Sequence, residues 1–250
     1  MGLPSSAYQR DRRVGLRLDN LTSDEFEKAM KKRPVVILPI GATEAHGPHL
    51  SLDTDSLQPE AVADMLAERI DGLVAPPIKY GHHSSTRNMP GTLSISFETL
   101  RYLVYDVLSS LVQNGADKIV VLSGHAGSVH MAALKLACEQ IVCESKVALM
   151  LLSDYDLAKE VVLDGGDDGH GGLIETSRVL AIARNRVKKA KIKGRFVDKG
   201  YLIVNDPETC YPDGFVGNAP DSTVELGRRI NDHIVDRLVD LIKSNFGGGK

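Results

Sequence analysis

Five carboxylate and imidazole residues stand together in Glu44-Ala-His46-Gly-Pro-His49-Leu-Ser-Leu-Asp53-Thr-Asp55, directly after an apolar run. Imidazole nitrogens and carboxylate oxygens are the usual N/O ligands of zinc, manganese and iron. A Glu-x-His pair with an aspartate nine residues on thus offers three ligands from one segment. This is half of a metal site, and the remainder must come from elsewhere in the chain. The candidates are His125, in Ser123-Gly-His125-Ala-Gly127-Ser128, and the loop carrying His170, in Gly169-His170-Gly-Gly172.

Strands alternating with amphipathic helices would bring these segments together. Pro34 to Ile40 is a continuous apolar run ending at Gly41, the pattern of a strand buried on both faces. Leu57 to Ile70 reads as a helix capped by Asp55 or Ser56, with Leu57, Ala61, Met65 and Leu66 on its apolar stripe. Leu73 to Pro77 reads as a short strand, and Lys79 to Gly91 as a long loop closed by Pro90-Gly91. A helix follows from Ser96 or Thr99 to Asn114, then a strand at Ile119 to Leu122, a helix at Val129 to Val142 and a strand at Val147 to Leu152. Asp164 to Gly172 is a loop, Leu173 to Arg186 and Thr223 to Lys243 are helices, and Arg195 to Val204 alternates as a hairpin or edge strand would. The βαβα order predicts a three-layer α/β/α sandwich with a mostly parallel central sheet, in one domain over residues 1–250 with a flexible tail at 246–250. Ligands of open α/β sheets gather beyond the carboxyl ends of the strands, where Glu44, His46, His125 and His170 all fall.

Composition narrows the partners. The 250 residues carry a net charge of -3 with scattered basic residues, which gives no electrostatic footprint for nucleic acid or anionic membrane. The run from Lys188 to Lys193 reads as a solvated face. Met1 to Arg13 is polar, and no run reaches the roughly 20 apolar residues a membrane helix needs, so a cytoplasmic protein acting on small molecules is expected. Cys138, Cys143 and Cys210 are odd in number, lack metal-binding spacing and read as buried or free thiols. His49 is expected to hydrogen-bond its own loop, Asp53 to be solvated, and His130 and His233 to be helix residues at the surface or in the core.

The ordered motifs resemble the creatininase (creatinine amidohydrolase) family. The Pro39 to Asp55 segment is similar to the family's P-x-G-S-x-E-Q-H-G-P-H-L-P-L-x-T-D. Met89-Pro-Gly-Thr92-Leu-Ser resembles its F-P-G-T-I-S, Ser123 to Ser128 its N-G-H-G-G-N, and Gly169-His170-Gly-Gly-Leu-Ile-Glu175-Thr-Ser its G-H-A-G-x-x-E-T-S. Gly214-Phe-Val-Gly-Asn-Ala-Pro and Glu225-Leu-Gly-Arg-Arg also fit, so the resemblance runs in order from about residue 15 to 242.

The resemblance implies a dinuclear divalent-metal centre, with zinc expected first and manganese or iron able to replace it, and hydrolysis of C–N bonds in amides or cyclic amides. Glu44, His46, Asp55 and His125 match the family's metal ligands, with Asp55 as the bridging carboxylate. The creatinine-hydrolysing member carries a glutamate ligand where this chain has Gly127. Glu175 is therefore expected to complete the second metal, or alternatively to orient a histidine. The loop before Pro90 also departs: His83 replaces the family's serine and Thr86 its histidine, while Ser123 and Ser128 replace asparagines. His83, Ser84, Thr92 and Asp167 are the expected substrate contacts.

A metal-activated water would attack the carbonyl, and the departing nitrogen would then need a proton. His170, with an ordinary pKa near 6.5, is the expected general acid, oriented by Asp167 or Asp168, and Glu175 shares the catalytic site. Three readings follow: hydrolysis of a small amide or formamide, trimming of a modified peptide as in mycofactocin maturation, and a non-catalytic metal-stabilised scaffold. Family relatives form hexamers, so the resemblance also implies a homo-oligomer.

Overall fold

Alternation along two central strands divides the interior in two. Val36, Leu38 and Ile40 of β2 (Val36–Ile40) face one core with Ile119 and Val121 of β4 (Lys118–Ser123). Ile37, Val120 and Leu122 face the opposite core. A strand covered on both faces has no solvent side on which to place polar residues, which is why β2 reads as an uninterrupted apolar run. The computed structural model describes residues 16–162, 168–188 and 192–247. The readings of Met1 to Arg13, of Asp167, of residues 189–191 in the basic run and of the last three tail residues lie outside these.

With β1 (Leu16–Arg17), β3 (Leu73–Val74) and β5 (Ala148–Ser153), the strands form a five-stranded sheet in the order β1-β3-β2-β4-β5, parallel at every pairing. α3 (Phe97–Gln113) and α4 (Ser128–Glu144) cover one face. α2 (Thr54–Ile70), α5 (Asp154–Lys159), α6 (Leu173–Ile182) and α7 (Val224–Phe246) cover the other. This is the three-layer α/β sandwich expected. Ile40, Ser123 and Ser153 stand in register at the carboxyl ends of β2, β4 and β5. The chain leaves β2 toward β3 and later returns on the other side as β4, so the loops after β2 and β4 part at a switch point.

Four details depart from the sequence expectations. α1 (Ser23–Met30), absent from those expectations, packs Phe26 and Met30 against the core and opens on a capping box, in which Glu25 accepts the Thr22 N–H at 2.8 Å and Thr22 Oγ1 accepts the Glu25 N–H. α2 starts at Thr54, placing Asp55 inside its first turn instead of at the cap, and buries Asp55, Pro59, Val62 and Leu66, a face rotated from the expected one. α6 stops at Ile182 and continues as a 3-10 turn, Arg184–Arg186. Arg195 to Val204 forms no strand among its described residues; Gly194 pairs singly with Gly217, and Tyr201, Leu202 and Ile203 lie exposed with no sheet edge beside them. No helix among the described residues is long and apolar enough to cross a membrane.

Candidate metal centre

Two glycines set the depth of the site. The Cβ that Gly41 lacks would lie 2.4 Å from Asp55 O, and that of Gly124 would lie 2.1 Å from the same oxygen. Pro59 has no N–H to bond this carbonyl, so the first turn of α2 settles directly onto the ends of β2 and β4. Asp55 is consequently buried between the β2 and β4 loops. The β2 loop is held by Glu44 N–H to Leu52 O at 2.9 Å, Ala45 N–H to Thr92 Oγ1 at 3.0 Å and Leu93 N–H to Thr43 O at 3.0 Å. At Gly47 the backbone takes φ +64°, and a side chain would press within 2.8 Å of Phe215, the buried ring packed beneath this loop.

Within this frame the predicted donors converge. Asp55 Oδ1 lies 2.9 Å from His46 Nε2, and Asp55 Oδ2 lies 3.0 Å from His125 Nδ1. Glu44 Oε2 is also 3.0 Å from His125 Nδ1, while Glu175 Oε2 is 3.8 Å from His46 Nε2. Asp55 therefore presents one oxygen to His46 and the other to His125, with Glu175 standing beside His46 and Glu44 beside His125. Two groups with donor atoms within 4.8 Å of one another recur on these sides: His46, Asp55 and Glu175, and Glu44, His83 and His125; a third joins Glu44, His46 and His170. Backbone carbonyls fix the imidazoles, since each can only accept. His46 Nδ1 donates to Glu44 O at 3.1 Å and His125 Nε2 to His82 O at 3.2 Å, which turns the other nitrogen of each ring into the site. Thr86 Oγ1 donates to Glu44 Oε1 and so orients that carboxylate.

These residues fit divalent metal ions. Glu44 Oε2, His46 Nε2 and Asp55 Oδ2 are buried without a hydrogen-bond partner, as are both ring nitrogens of His83. Buried polar atoms are normally paired, and a cluster of orphaned oxygens and imidazole nitrogens is what metal coordination satisfies.

Electrostatics point the same way. Burial disfavours charge on His46, yet Asp55, Glu175 and Glu44 raise its pKa to about 10. His125 is likewise raised against burial by Glu44 and Asp55. Burial also opposes ionisation of Asp55 and Glu44, but the imidazolium charges around them hold both carboxyls below their ordinary range. In the metal-free protein, protonated imidazoles thus supply the positive charge that the carboxylates require. Burial, reinforced by Asp55, pushes Glu175 up to about 7.

His170 lines the same cavity, of about 210 Å³, with its ring 4.1 Å from that of His46. Its Nε2 donates to Ala45 O at 2.7 Å, and its carbonyl accepts from Val216 N–H at 2.7 Å. Burial and neighbouring His46 lower its pKa, so the ordinary value expected from sequence does not hold. Asp168 does not orient it: that carboxylate accepts from the N–H groups of Leu173 and Ile174, capping α6. Glu175 Oε2 accepts the Gly171 N–H at 2.5 Å, fixing the loop that carries His170.

The expected substrate contacts scatter. His83 is buried beside Glu44, 3.9 Å from Nε2 to Oε2, whereas Ser84 is exposed and Ser85 and Thr86 line the cavity. Thr92 supports the Ala45 backbone. His49 Nε2 reaches Gly171 O and Thr176 Oγ1, each at 3.0 Å, tying the two loops together as a structural histidine. Asp53 pairs with Arg186 at 3.1 Å. His130 is fully buried behind His125, its ring 4.8 Å away. Tyr155 and Tyr211, which no sequence motif signalled, complete the cavity wall. They arrive from α5 and from the turn before Gly214, and only tertiary packing brings them here.

A family model described as creatinine amidohydrolase matches residues 19–242. A creatinine amidohydrolase of Pseudomonas putida is 30% identical over 251 residues, spanning 90% of this chain and 95% of its own length. A mycofactocin precursor peptide peptidase of Mycobacterium ulcerans is 31% identical over 252 residues, spanning 95% of each. Solved creatininases include a manganese form, 28% identical with a TM-score of 0.83 over 94% of this chain and 100% of its own, and a zinc form of a variant.

Proposed function

Because the chain belongs to the creatininase family, we propose that it is an amidohydrolase using two divalent metal ions to cleave the C–N bond of a small amide, cyclic amide or formamide. The observation that carries this reading is the division of Asp55, whose two oxygens face separate donor groups in one cavity. Zinc suits the mixed imidazole and carboxylate set, and manganese and iron accept the same donors. A cavity of about 210 Å³ favours a small substrate.

Bound metals would acidify a water and polarise the scissile carbonyl. This chain's residues supply the rest. Asp55, Glu44, His46, His125 and Glu175 would hold the ions. His170, with Nε2–H committed to Ala45 O, keeps Nδ1 as its basic position and is neutral near pH 7. It takes a proton from the attacking water and delivers it to the departing nitrogen, acting as base before it acts as acid. Metal analysis combined with turnover of cyclic ureas, formamides and short peptides tests the proposal. A protein that binds no metal, or one whose turnover survives complete chelation, refutes it. His170→Ala should abolish turnover while leaving metal content and melting intact, which also removes the scaffold reading.

One observation favours a longer substrate. A second depression, of about 460 Å³, is lined by Pro48, Asn88, Met89 and Tyr211, and Tyr211 also walls the metal cavity. A modified peptide could place its scissile amide in the first and flanking residues in the second. Cleavage of short peptides with no turnover of small amides selects this reading. For the homo-oligomer, exposed Tyr102 and Leu103 on α3 and Leu136 and Val142 on α4 supply apolar surface, and sedimentation would test it.

A further inference from the structure

We infer that His83 is a metal ligand, and that it makes the two metal positions of this protein unequal: Glu44, His125, His83 and Asp55 form a closed position, while His46, Asp55 and Glu175 form an open one. The inference rests on the two-metal reading and adds to it a residue and an order of affinity.

The geometry is specific to the Glu44 side. Donors bound to one zinc at about 2.1 Å in tetrahedral array stand roughly 3.4 Å apart. His125 Nδ1 lies 3.0 Å from both Glu44 Oε2 and Asp55 Oδ2, and His83 Nε2 lies 3.9 Å from Glu44 Oε2. The His83 and His125 rings stand 5.0 Å apart and tilted by 49°, as neighbours converging on a common point. His83 is almost wholly buried, and neither ring nitrogen has a hydrogen-bond partner. An imidazole contacting substrate from a cavity wall would show one nitrogen anchored and the other exposed. His83 has both withdrawn from solvent, and it is not among the residues lining the cavity.

Four protein donors on zinc are characteristic of positions that hold their ion, whereas three leave a place for water or substrate. On the Glu44 side, Glu44, His83 and His125 gather with donor atoms within 4.8 Å of one another, and Asp55 Oδ2 joins them beside His125 at 3.0 Å, which makes four donors with His83 and three without it. Among the described residues, His46, Asp55 and Glu175 gather on the His46 side, and His170, the proton-handling residue, stacks there at 4.1 Å from His46. The closed position therefore keeps its ion while the open one exchanges and faces the reacting groups.

The full-length protein, loaded with zinc and dialysed against graded dipicolinate, tests this by metal analysis. Wild type should release one equivalent readily and retain the other. His83→Ala should weaken the retained equivalent by about 100-fold or more, beyond what loss of an outer partner typically costs, and added imidazole should partly restore it. X-ray absorption on wild type holding only the retained zinc provides a readout that no variant's folding can confuse: two imidazoles are expected, and one would overturn the inference. Unchanged retention in His83→Ala, with or without a raised KM, overturns it as well and returns His83 to substrate contact. A wild type that binds no zinc defeats the two-metal reading instead.

Discussion

Replacing Gly124 with alanine should empty the metal centre without touching a ligand. The new Cβ would lie 2.1 Å from Asp55 O, 2.6 Å from Pro59 Cδ and 2.9 Å from Pro59 Cγ, where ordinary contact begins at 3.4 Å. A backbone carbonyl and a proline ring cannot swing aside, so a gap of about 1.3 Å must open between α2 and β4. The β4 side is pinned by Gly124 N–H to Ile40 O at 2.8 Å, and the first turn of α2 therefore moves, taking Asp55 with it. Metal sites tolerate displacements of about 0.2 Å, several times less than this shift. Overpacking of this kind costs about 1–3 kcal/mol, or about 2–4 °C of melting temperature per kcal/mol in a chain of this size. Calorimetry of chelated protein isolates the packing cost, and metal analysis after gel filtration reads the site. Gly115→Ala is the control: nothing lies within 4 Å of its missing Cβ, but its φ is +93°, so it should lose stability by strain and keep its metals. A Gly124→Ala protein with wild-type metal content and an unchanged chelated melting temperature would refute the reasoning.

Other perturbations separate the site from the scaffold. Asp55→Ala should weaken both metal positions together, because its two oxygens serve different donor groups; retention of two equivalents per chain would disprove the bridging role. Arg178→Ala should destabilise the protein by about 3–5 kcal/mol in urea and leave metal content alone, since it strands Asp154, its 2.6 Å partner, as a buried unpaired charge. A loss under about 1 kcal/mol would contradict that. Burial pushes the Cys138 thiol up from 9.0 to about 12, so alkylation at pH 8 should label exposed Cys143 and spare Cys138 until the chain unfolds. Because the folded pKa exceeds the unfolded one, the unfolded chain releases this proton first. Its contribution to stability is intact below about pH 9 and lost as pH rises toward 12, and Cys138→Ala should flatten the fall in melting temperature over that window. Metal uptake at pH 7 should release protons, since His46 holds one up to about pH 10, and calorimetry in buffers of different ionisation enthalpy would count them.

The sequence by itself determined the central strands, most of the helices and which residues stand as candidate donors. Apolar runs and helical periodicity are local, so β2, β4, β5 and the long helices are legible, and a parallel βαβ order leaves the strand ends as the place where Glu44, His46, His125 and His170 meet. Local pattern was insufficient where the partner is distant. The buried face of α2 differs from its periodic apolar stripe because Pro59, Gly41 and Gly124 seat the helix by close contact with two strands, and helical periodicity carries no information about a strand. Arg195 to Val204 alternates as an edge strand would, but a strand exists only if an edge accepts its hydrogen bonds. The role of His83 was equally invisible in sequence, where a histidine in a polar loop reads as a substrate contact. Only the folded chain buries both its nitrogens beside Glu44 and His125, and burial without a hydrogen-bond partner is what turns an imidazole toward a metal.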